Sequence, residues 1–185
     1  AETVRNGWLY TGDLGYMSKE GLLYVKGRFK SLLISSDGEK YSPEGIEEAL
    51  VEKSPYIDQV MLYNNQSNYT TAVIVPNRDQ LIRTLKVQGL DLSTEDGRKA
   101  ALTILDGEIN KYKKGGDFEG MFPERWLPTC FAVLSEPFTE QNQMINSTMK
   151  MVRGKIEKAY AERIAYMYTA AGKQLHNQQN IDALK

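Results

Sequence analysis

The sequence predicts an α+β domain in which a small central antiparallel sheet is flanked by helices and preceded by a short β-hairpin. Two observations indicate this class. Short apolar runs bounded by glycine and polar turn residues alternate with segments whose apolar residues recur at helical spacing. The chain has 185 residues, 41% of them hydrophobic and 25% charged, which suffices for one sizeable globular domain.

Short apolar runs predict the strands, and turn residues separate them. The predicted strands cover residues 8–10, 22–26, 31–35, 57–63, 69–76 and 129–134. The first two are joined through a glycine-punctuated stretch and form the predicted hairpin. The third ends at Ser36-Asp37-Gly38, a sequence typical of a hairpin turn.

Helices are predicted where apolar residues recur every three or four positions. Ser42 is expected to cap the first helix, which Pro43 begins. A second follows Pro76, and a longer one starts at Ser93. A final amphipathic helix carries Ile156, Tyr160, Ile164 and Met167. Beyond Thr169 the sequence is polar, so this end is expected to fray.

Composition excludes several classes of function. The formal net charge of −1 argues against a nucleic-acid binder, and no apolar run approaches the roughly 20 residues of a membrane helix. The single cysteine, Cys130, excludes an internal disulfide, favours a reducing cytoplasm and is interpreted as a buried core thiol. The single histidine, His176, leaves little basis for a histidine triad or a histidine-rich metal site.

Candidate chemistry therefore rests on lysine, arginine, aspartate and backbone groups. Asp13 lies between glycines after a strand, where a carboxylate can accept hydrogen bonds from a ribose diol or simply cap a turn. Arg28 and Lys30 follow the second strand and can bind a phosphate or remain solvated. Lys150 precedes the last helix and can reach an anion as a point charge, or belong to a solvated basic helix face.

In order along the chain, these segments resemble one family, the AMP-forming adenylating enzymes. This family includes acyl-CoA synthetases, firefly luciferase and the adenylation domains of peptide synthetases. The first motif, "GWLYTGDLG", resembles the family's Tyr-x-Thr-Gly-Asp motif, and "GLLYVKGRFKSLLISSDGEKYSPEGIEEAL" resembles its Gly-Arg hinge motif and the segment that follows. The third, "EPFTEQNQMINSTMKMVRGKI", resembles the last motif in its long-chain fatty acyl form.

The resemblance implies a fragment of a larger enzyme, an expectation that fits a chain opening at Ala1 without an initiator methionine. Residues 1–29 would be the tail of the N-terminal adenylation domain, residues 30–168 the C-terminal lid domain and residues 169–185 a polar tail. The phosphate loop and the fatty-acid pocket would lie upstream. We therefore expect the isolated fragment to be inactive.

The resemblance also implies a role for individual residues. Asp13 matches the aspartate that holds the ATP ribose hydroxyls, and Arg28 matches the arginine that touches the nucleotide. Lys30 falls at the hinge about which the lid rotates. Lys150 matches the catalytic lysine of adenylation, and Gly38 falls in the loop that approaches CoA during thioester formation.

Two positions depart from the family pattern. The long-chain form usually reads Thr-Pro-Thr before the lysine, whereas this chain has Asn146-Ser147-Thr148. The usual Gly-Gly of the hinge-following loop is Asp37-Gly38, which weakens the CoA-proximal assignment.

The activity implied is that of a long-chain fatty acid–CoA ligase, which forms acyl-AMP and pyrophosphate from a fatty acid and ATP and then forms acyl-CoA. ATP, Mg²⁺ and CoA are the expected cofactors and co-substrates, with the Mg²⁺ ligands in the N-terminal domain. That domain is the expected partner, and neither a nucleic acid nor a transmembrane segment is expected. The expected location is cytoplasmic, with peripheral membrane association of the full-length enzyme left open.

Two alternatives stay open. Within the family, the enzyme could act on another acid or load an acyl-carrier protein, because specificity lies mostly upstream. Outside it, the chain could be a free-standing, non-catalytic binding or interaction module.

Overall fold

A computed structural model describes residues 3–185, apart from the side chains of Lys26 and Lys30. The N-terminal segment forms two small antiparallel pairs, β1 (Val4–Arg5) with β2 (Trp8–Leu9) and β3 (Asp13–Met17) with β4 (Leu23–Arg28). The predicted hairpin therefore exists, but β4 pairs with β3 and not with residues 8–10. Glycine and aspartate disfavour strands, which hid β3 from the sequence pattern.

Beyond β4 the chain makes a 3₁₀ turn at Phe29–Ser31 and enters the hairpin of β5 (Leu33–Ser35) and β6 (Lys40–Tyr41). The remaining elements are α1 (Glu44–Lys53), β7 (Ile57–Tyr63), β8 (Asn65–Ser67), β9 (Thr70–Pro76), α2 (Arg78–Val87), α3 (Glu95–Asn110), β10 (Pro128–Val133), α4 (Arg153–Ala159), α5 (Ala161–Met167) and α6 (Gln178–Ala183). Within residues 3–185, no helix combines the length and the apolar composition needed to cross a membrane.

The central sheet has the strand order β10-β9-β7. β7 and β9 are antiparallel, as predicted, whereas β10 runs parallel to β9. Parallel strands need a long crossover connection, and α2 and α3 provide it between the end of β9 and the beginning of β10. Every residue of β9 is buried, which explains its uninterrupted apolar run. The α+β class is confirmed, with a mixed central sheet.

Helices cover both faces of this sheet. On β9, Ala72 and Ile74 pack into a core shared with α1, α2, α3 and α6. Val73 and Val75 point to the other face and pack with residues of α4 and α5. This alternation is the two-residue period of a strand, so one short strand supplies both cores.

The helix boundaries differ from the sequence prediction in three places. Ser42 makes no cap bond, and α1 begins after Pro43, which already has helical backbone angles. The cap of the long helix is Thr94 in place of the predicted Ser93, because the side-chain oxygen of Thr94 accepts a hydrogen bond from the Gly97 amide. The final helix is broken at Tyr160 into α4 and α5.

The expectation that the chain frays beyond Thr169 is wrong. Ile181 and Leu184 are buried in the core, and the Arg78 guanidinium donates hydrogen bonds to the carbonyl oxygens of residues 183–185. The polar side chain of Asn180 is also buried, where it bonds to backbone groups of β10. The polar side chains of this segment make the hydrogen bonds that fix it to the domain. A polar composition therefore does not by itself indicate disorder.

We expect Cys130 to resist alkylation in the folded chain. Its thiol is buried and donates to the Met167 carbonyl oxygen, and burial raises its pKa to about 11. Because folding favours the protonated thiol, this contribution to stability is present below the ordinary thiol pKa and is lost as pH rises through about 11. Iodoacetamide labelling at pH 8, followed by mass spectrometry, should be at least about 100-fold slower without urea than with it. Equal rates would show that Cys130 is accessible.

Candidate functional site

A cleft of about 950 Å³ lies where β3, β4, α1 and the segment before α4 face one another. Three residues predicted from the sequence line it: Asp13, Arg28 and Lys150. Asp13 and Arg28 come from one hairpin and Lys150 from a distant part of the chain, so the convergence of the lysine with the hairpin is a property of the fold. We refer to this space as the cleft.

Strand pairing places Asp13 opposite Arg28. The two residues are direct partners in the β3–β4 register, and the Nε atom of Arg28 lies 3.6 Å from a carboxylate oxygen of Asp13. The side chain of Asp13 remains 42% exposed, and that of Arg28 remains 58% exposed. An exposed ion pair of this kind contributes little to stability, so a ligand can displace it at low cost.

Lys150 lies on a tight loop, residues 145–151, here called the Lys150 loop. The side-chain oxygen of Asn146 accepts hydrogen bonds from the amides of Thr148 and Lys150 and from the Thr148 hydroxyl. The Asn146 amide donates to the Lys150 carbonyl, and Met149 adopts a left-handed conformation with φ 60°. The Lys150 side chain is exposed, and no partner for its ammonium group is found among the described residues.

A buried ion pair lies beside the Lys150 loop and was missed by the sequence analysis. Arg153, the first residue of α4, donates to a carboxylate oxygen of Glu47 on α1. The other oxygen of Glu47 accepts from the Leu62 amide at 2.7 Å. Burial raises the pKa of Glu47, and the Arg153 guanidinium opposes that rise. The position of Glu47, three residues before Leu50 on the buried stripe of α1, was the available signal.

Negative charge predominates in the cleft. Its cations are Arg28, Lys150 and Arg153, and its carboxylates are Asp13, Glu44, Glu47, Glu48, Glu52 and Asp58. A triphosphate bound here would therefore need cationic groups beyond those that line the cleft. No group of three or more histidine, cysteine or carboxylate side chains within residues 3–185 is placed to hold a metal ion.

The other two predicted site residues lie elsewhere. The backbone of Lys30 is in the 3₁₀ turn that leaves β4, and its side chain falls outside what the structure describes. Gly38 lies in the β5–β6 turn with φ +84°, and it does not line the cleft. The hinge and CoA-proximal roles therefore stay predictions.

We expect Gly27→Ala to destabilise the cleft wall. Gly27 has φ +130°, and an added Cβ would lie 2.7 Å from the Ser42 hydroxyl oxygen. Backbone strain and crowding together should lower the free energy of unfolding by about 1–3 kcal/mol. Urea unfolding measures the change, with Gly45→Ala as control, because nothing lies within 4 Å of a Cβ on that α1 residue. Equal stability of the two variants would contradict the expectation.

Curated relatives match nearly the whole chain. A fatty acyl-CoA synthetase B of Dictyostelium discoideum is 28% identical over 174 residues, covering 91% of this chain and 25% of that protein. A long-chain-fatty-acid–CoA ligase of Xenopus laevis is 25% identical over 190 residues, covering 92% and 25%. The chain thus spans about a quarter of the length of these relatives. No family model matches it.

Solved structures share the fold. The adenylation domain of a carboxylate reductase from Mycobacterium chelonae superposes with a TM-score of 0.74 at 23% identity, covering 90% of this chain and 24% of that one. A carboxylic acid reductase didomain from Segniliparus rugosus, solved with AMP, gives 0.68 at 22% identity, covering 93% and 22%. An O-succinylbenzoate CoA synthetase from Bacillus subtilis, solved with ATP and magnesium, gives 0.51 at 23%, covering 84% and 26%.

The relatives are fatty acyl-CoA ligases, and the structural neighbours are adenylation domains and a CoA synthetase. Both findings agree with the three motifs, so the predicted resemblance is confirmed. In sequence and in fold, the chain is similar to the C-terminal portion of AMP-forming acyl-CoA ligases.

Proposed function

We propose that the chain is the C-terminal portion of a long-chain fatty acid–CoA ligase that works in two steps. The first joins a fatty acid to ATP as acyl-AMP with release of pyrophosphate, and the second transfers the acyl group to the sulfur of CoA. The observation that carries the proposal is the convergence of Asp13, Arg28 and Lys150 on one cleft.

Asp13 and Arg28 are proposed to bind the nucleotide. A carboxylate has acceptor capacity for both hydroxyls of a ribose, and the arginine fork has donors for a phosphate or ribose oxygen. Their mutual ion pair is long and solvent-exposed, so exchange for nucleotide contacts loses little energy. The nucleotide would therefore bind to two side chains, Asp13 and Arg28, that already lie next to each other.

Lys150 is proposed to act in the first step. A carboxylate and a phosphate repel each other, so a cation between them stabilises the charge that develops on the pentavalent phosphorus. The free ammonium group and the preformed Lys150 loop support this role. A charge held on a compact loop can also be withdrawn by a modest motion of the domain that carries it.

That motion is proposed to occur about Lys30. Residues 30–168 would form a lid that rotates relative to the portion of the enzyme that includes residues 1–29. Rotation would remove Lys150 from the cleft and bring the Gly38 loop toward CoA for the second step. One small domain would thereby serve two transition states.

ATP, Mg²⁺ and CoA are the proposed cofactors and co-substrates, and a fatty acid is the proposed substrate. Carboxylates outnumber cations in the cleft, which supports placing further phosphate contacts in a preceding N-terminal domain. The Mg²⁺ ligands are proposed to lie there as well. The 185-residue chain alone is then expected to be inactive. We propose a cytoplasmic location because the chain has a single, buried cysteine.

ATP–pyrophosphate exchange tests the function in the longer protein encoded by the reading frame that includes upstream codons. Exchange that depends on a long-chain fatty acid, with acyl-CoA as the final product, is the expected result. Exchange with only short or aromatic acids would overturn the long-chain assignment. Product formation on an acyl-carrier protein in place of CoA would favour the related alternative within the family. No exchange with any acid would favour the non-catalytic binding module.

The isolated chain supplies a second test. We expect residues 1–185 alone to give no exchange under the same conditions. ATP-dependent thioester formation by this chain would contradict the proposal that half of the catalytic site lies elsewhere.

A further inference from the structure

The ion pair of Glu47 and Arg153 is the most deeply buried one among the described residues. Their side chains are 5% and 15% exposed, and both line the cleft. Glu47 comes from α1, and Arg153 begins α4. Arg153 also donates to the Leu62 carbonyl oxygen, whose own amide donates to Glu47. Three elements therefore meet at one small network.

Such a pair is a poor way to gain stability. Removing two charges from water carries a penalty that often exceeds their attraction, and apolar replacements of similar size are frequently as stable. Buried pairs do, however, define a single relative placement of the elements that carry them, because either charge left alone is unfavourable. In this chain the elements concerned are α1 and the start of α4.

Arg153 lies two residues after the Lys150 loop, separated from it by Val152. Hydrogen bonds within the segment fix the shape of that loop, since the Asn146 amide donates to the Lys150 carbonyl and the Val152 amide donates to the Met144 carbonyl. These local bonds do not determine how the loop lies against α1. Ile145 anchors the start of the loop in the core beside α4 and α5. The guanidinium of Arg153 ties the chain just after the loop to Glu47 of α1 and Leu62 of β7.

We propose that Glu47 and Arg153 are positioning residues that hold Lys150 at the cleft. This inference rests on the proposed catalytic role of Lys150. The pair ties the chain just after the Lys150 loop to α1 and β7, so the backbone of Lys150 keeps a constant position relative to the cleft. It also neutralises Arg153, whereas the Lys150 ammonium group has no ion-pair partner among the side chains that the structure describes.

Hydrogen exchange in the 185-residue chain tests the placement without reference to activity. The variants are Glu47→Gln, which retains an acceptor for the Leu62 amide, and Arg153→Lys, which retains the charge but not the two-pronged donor. The control is Glu48→Gln, a neighbouring exposed residue of the same cleft. Exchange in a peptide covering residues 144–152 should accelerate by roughly ten- to hundredfold in the first two variants, the scale of a lost bond to a charged group.

Peptides from β7 and β9 provide the internal reference. Unchanged exchange there, together with faster exchange at residues 144–152, supports a positioning role. Equal acceleration in all peptides would mean that the pair only stabilises the fold and would overturn the proposal. Unchanged exchange at residues 144–152 would overturn it as well.

The two half-reactions of the longer protein give the second readout. In Arg153→Lys, kcat for ATP–pyrophosphate exchange should fall by about tenfold or more, with KM for ATP within about twofold of the unmodified value. Acyl-CoA formation from supplied acyl-AMP should change by less than about twofold. Equal losses in both half-reactions would overturn the positioning role. Should the unmodified protein show no exchange, the proposed function fails, and the hydrogen-exchange result still decides whether the pair anchors the loop.

Discussion

Lys150→Ala is expected to lower fatty-acid-dependent ATP–pyrophosphate exchange by about 10²- to 10³-fold in the longer protein. The substitution removes the ammonium group that would stabilise charge on the transferring phosphate. The hydrogen bonds of Lys150 within its loop use backbone atoms, so alanine leaves the loop bonded as before. The loss should therefore fall on kcat, since the interaction is made mainly in the transition state.

Two lysine variants control this measurement. Lys158→Ala removes an exposed charge from α4 and should leave exchange within about twofold of the unmodified value. Lys155→Ala removes a lysine whose ammonium group donates to the Gln143 side chain. This variant measures the contribution of a second cation near the Lys150 loop to exchange. Full exchange in Lys150→Ala with a loss in Lys155→Ala would move the catalytic role to Lys155.

Asn180→Ala is expected to lower the free energy of unfolding by about 2–5 kcal/mol, because it leaves several buried backbone groups without a partner. Asn180 is 1% exposed. Its side-chain oxygen accepts from the Val133 amide and from Arg163, and its amide group donates to the Phe131 and Leu175 carbonyl oxygens. One side chain thus joins α6 to backbone groups of β10, the strand at the edge of the central sheet.

Urea unfolding followed by circular dichroism measures this effect in the 185-residue chain. Gln178→Ala is the matched control, since this α6 residue is exposed and bonds to Asp182 of the same helix. The control should change stability by less than about 0.5 kcal/mol. A similar, small effect for Asn180→Ala would mean that α6 contributes little to the fold.

Much of the fold was predictable from local pattern. The runs at 57–63 and 70–76 are strands in which most residues are buried, and the helices near residues 44 and 95 follow their apolar spacing. The segment beyond Thr169 was not predictable in this way. The buried side chain of Asn180 bonds to β10 residues that lie 47 and 49 positions away, and no local sequence pattern indicates partners at that separation.

The candidate site likewise has a part that local sequence predicts and a part that depends on the fold. Asp13, Arg28 and Lys150 were found through motifs, because each motif carries its residue within a few positions. Their meeting in one cleft, and the burial of Glu47 against Arg153, depend on how the sheet brings α1 and α4 together. Charged residues on two separate helices give no sign in sequence that they form a pair.

The two tryptophans of the chain lie in very different surroundings. Trp8 in β2 is 74% exposed, whereas Trp126 stacks on Tyr41 with ring centroids 5.1 Å apart and packs against the main core. Their fluorescence should therefore separate into a water-exposed emission and a core emission. A preceding domain that covers the hairpin would shift the emission of Trp8 to shorter wavelength, while Trp126 would continue to report on unfolding. The chain thus carries an intrinsic optical signal for any contact made at β1 and β2.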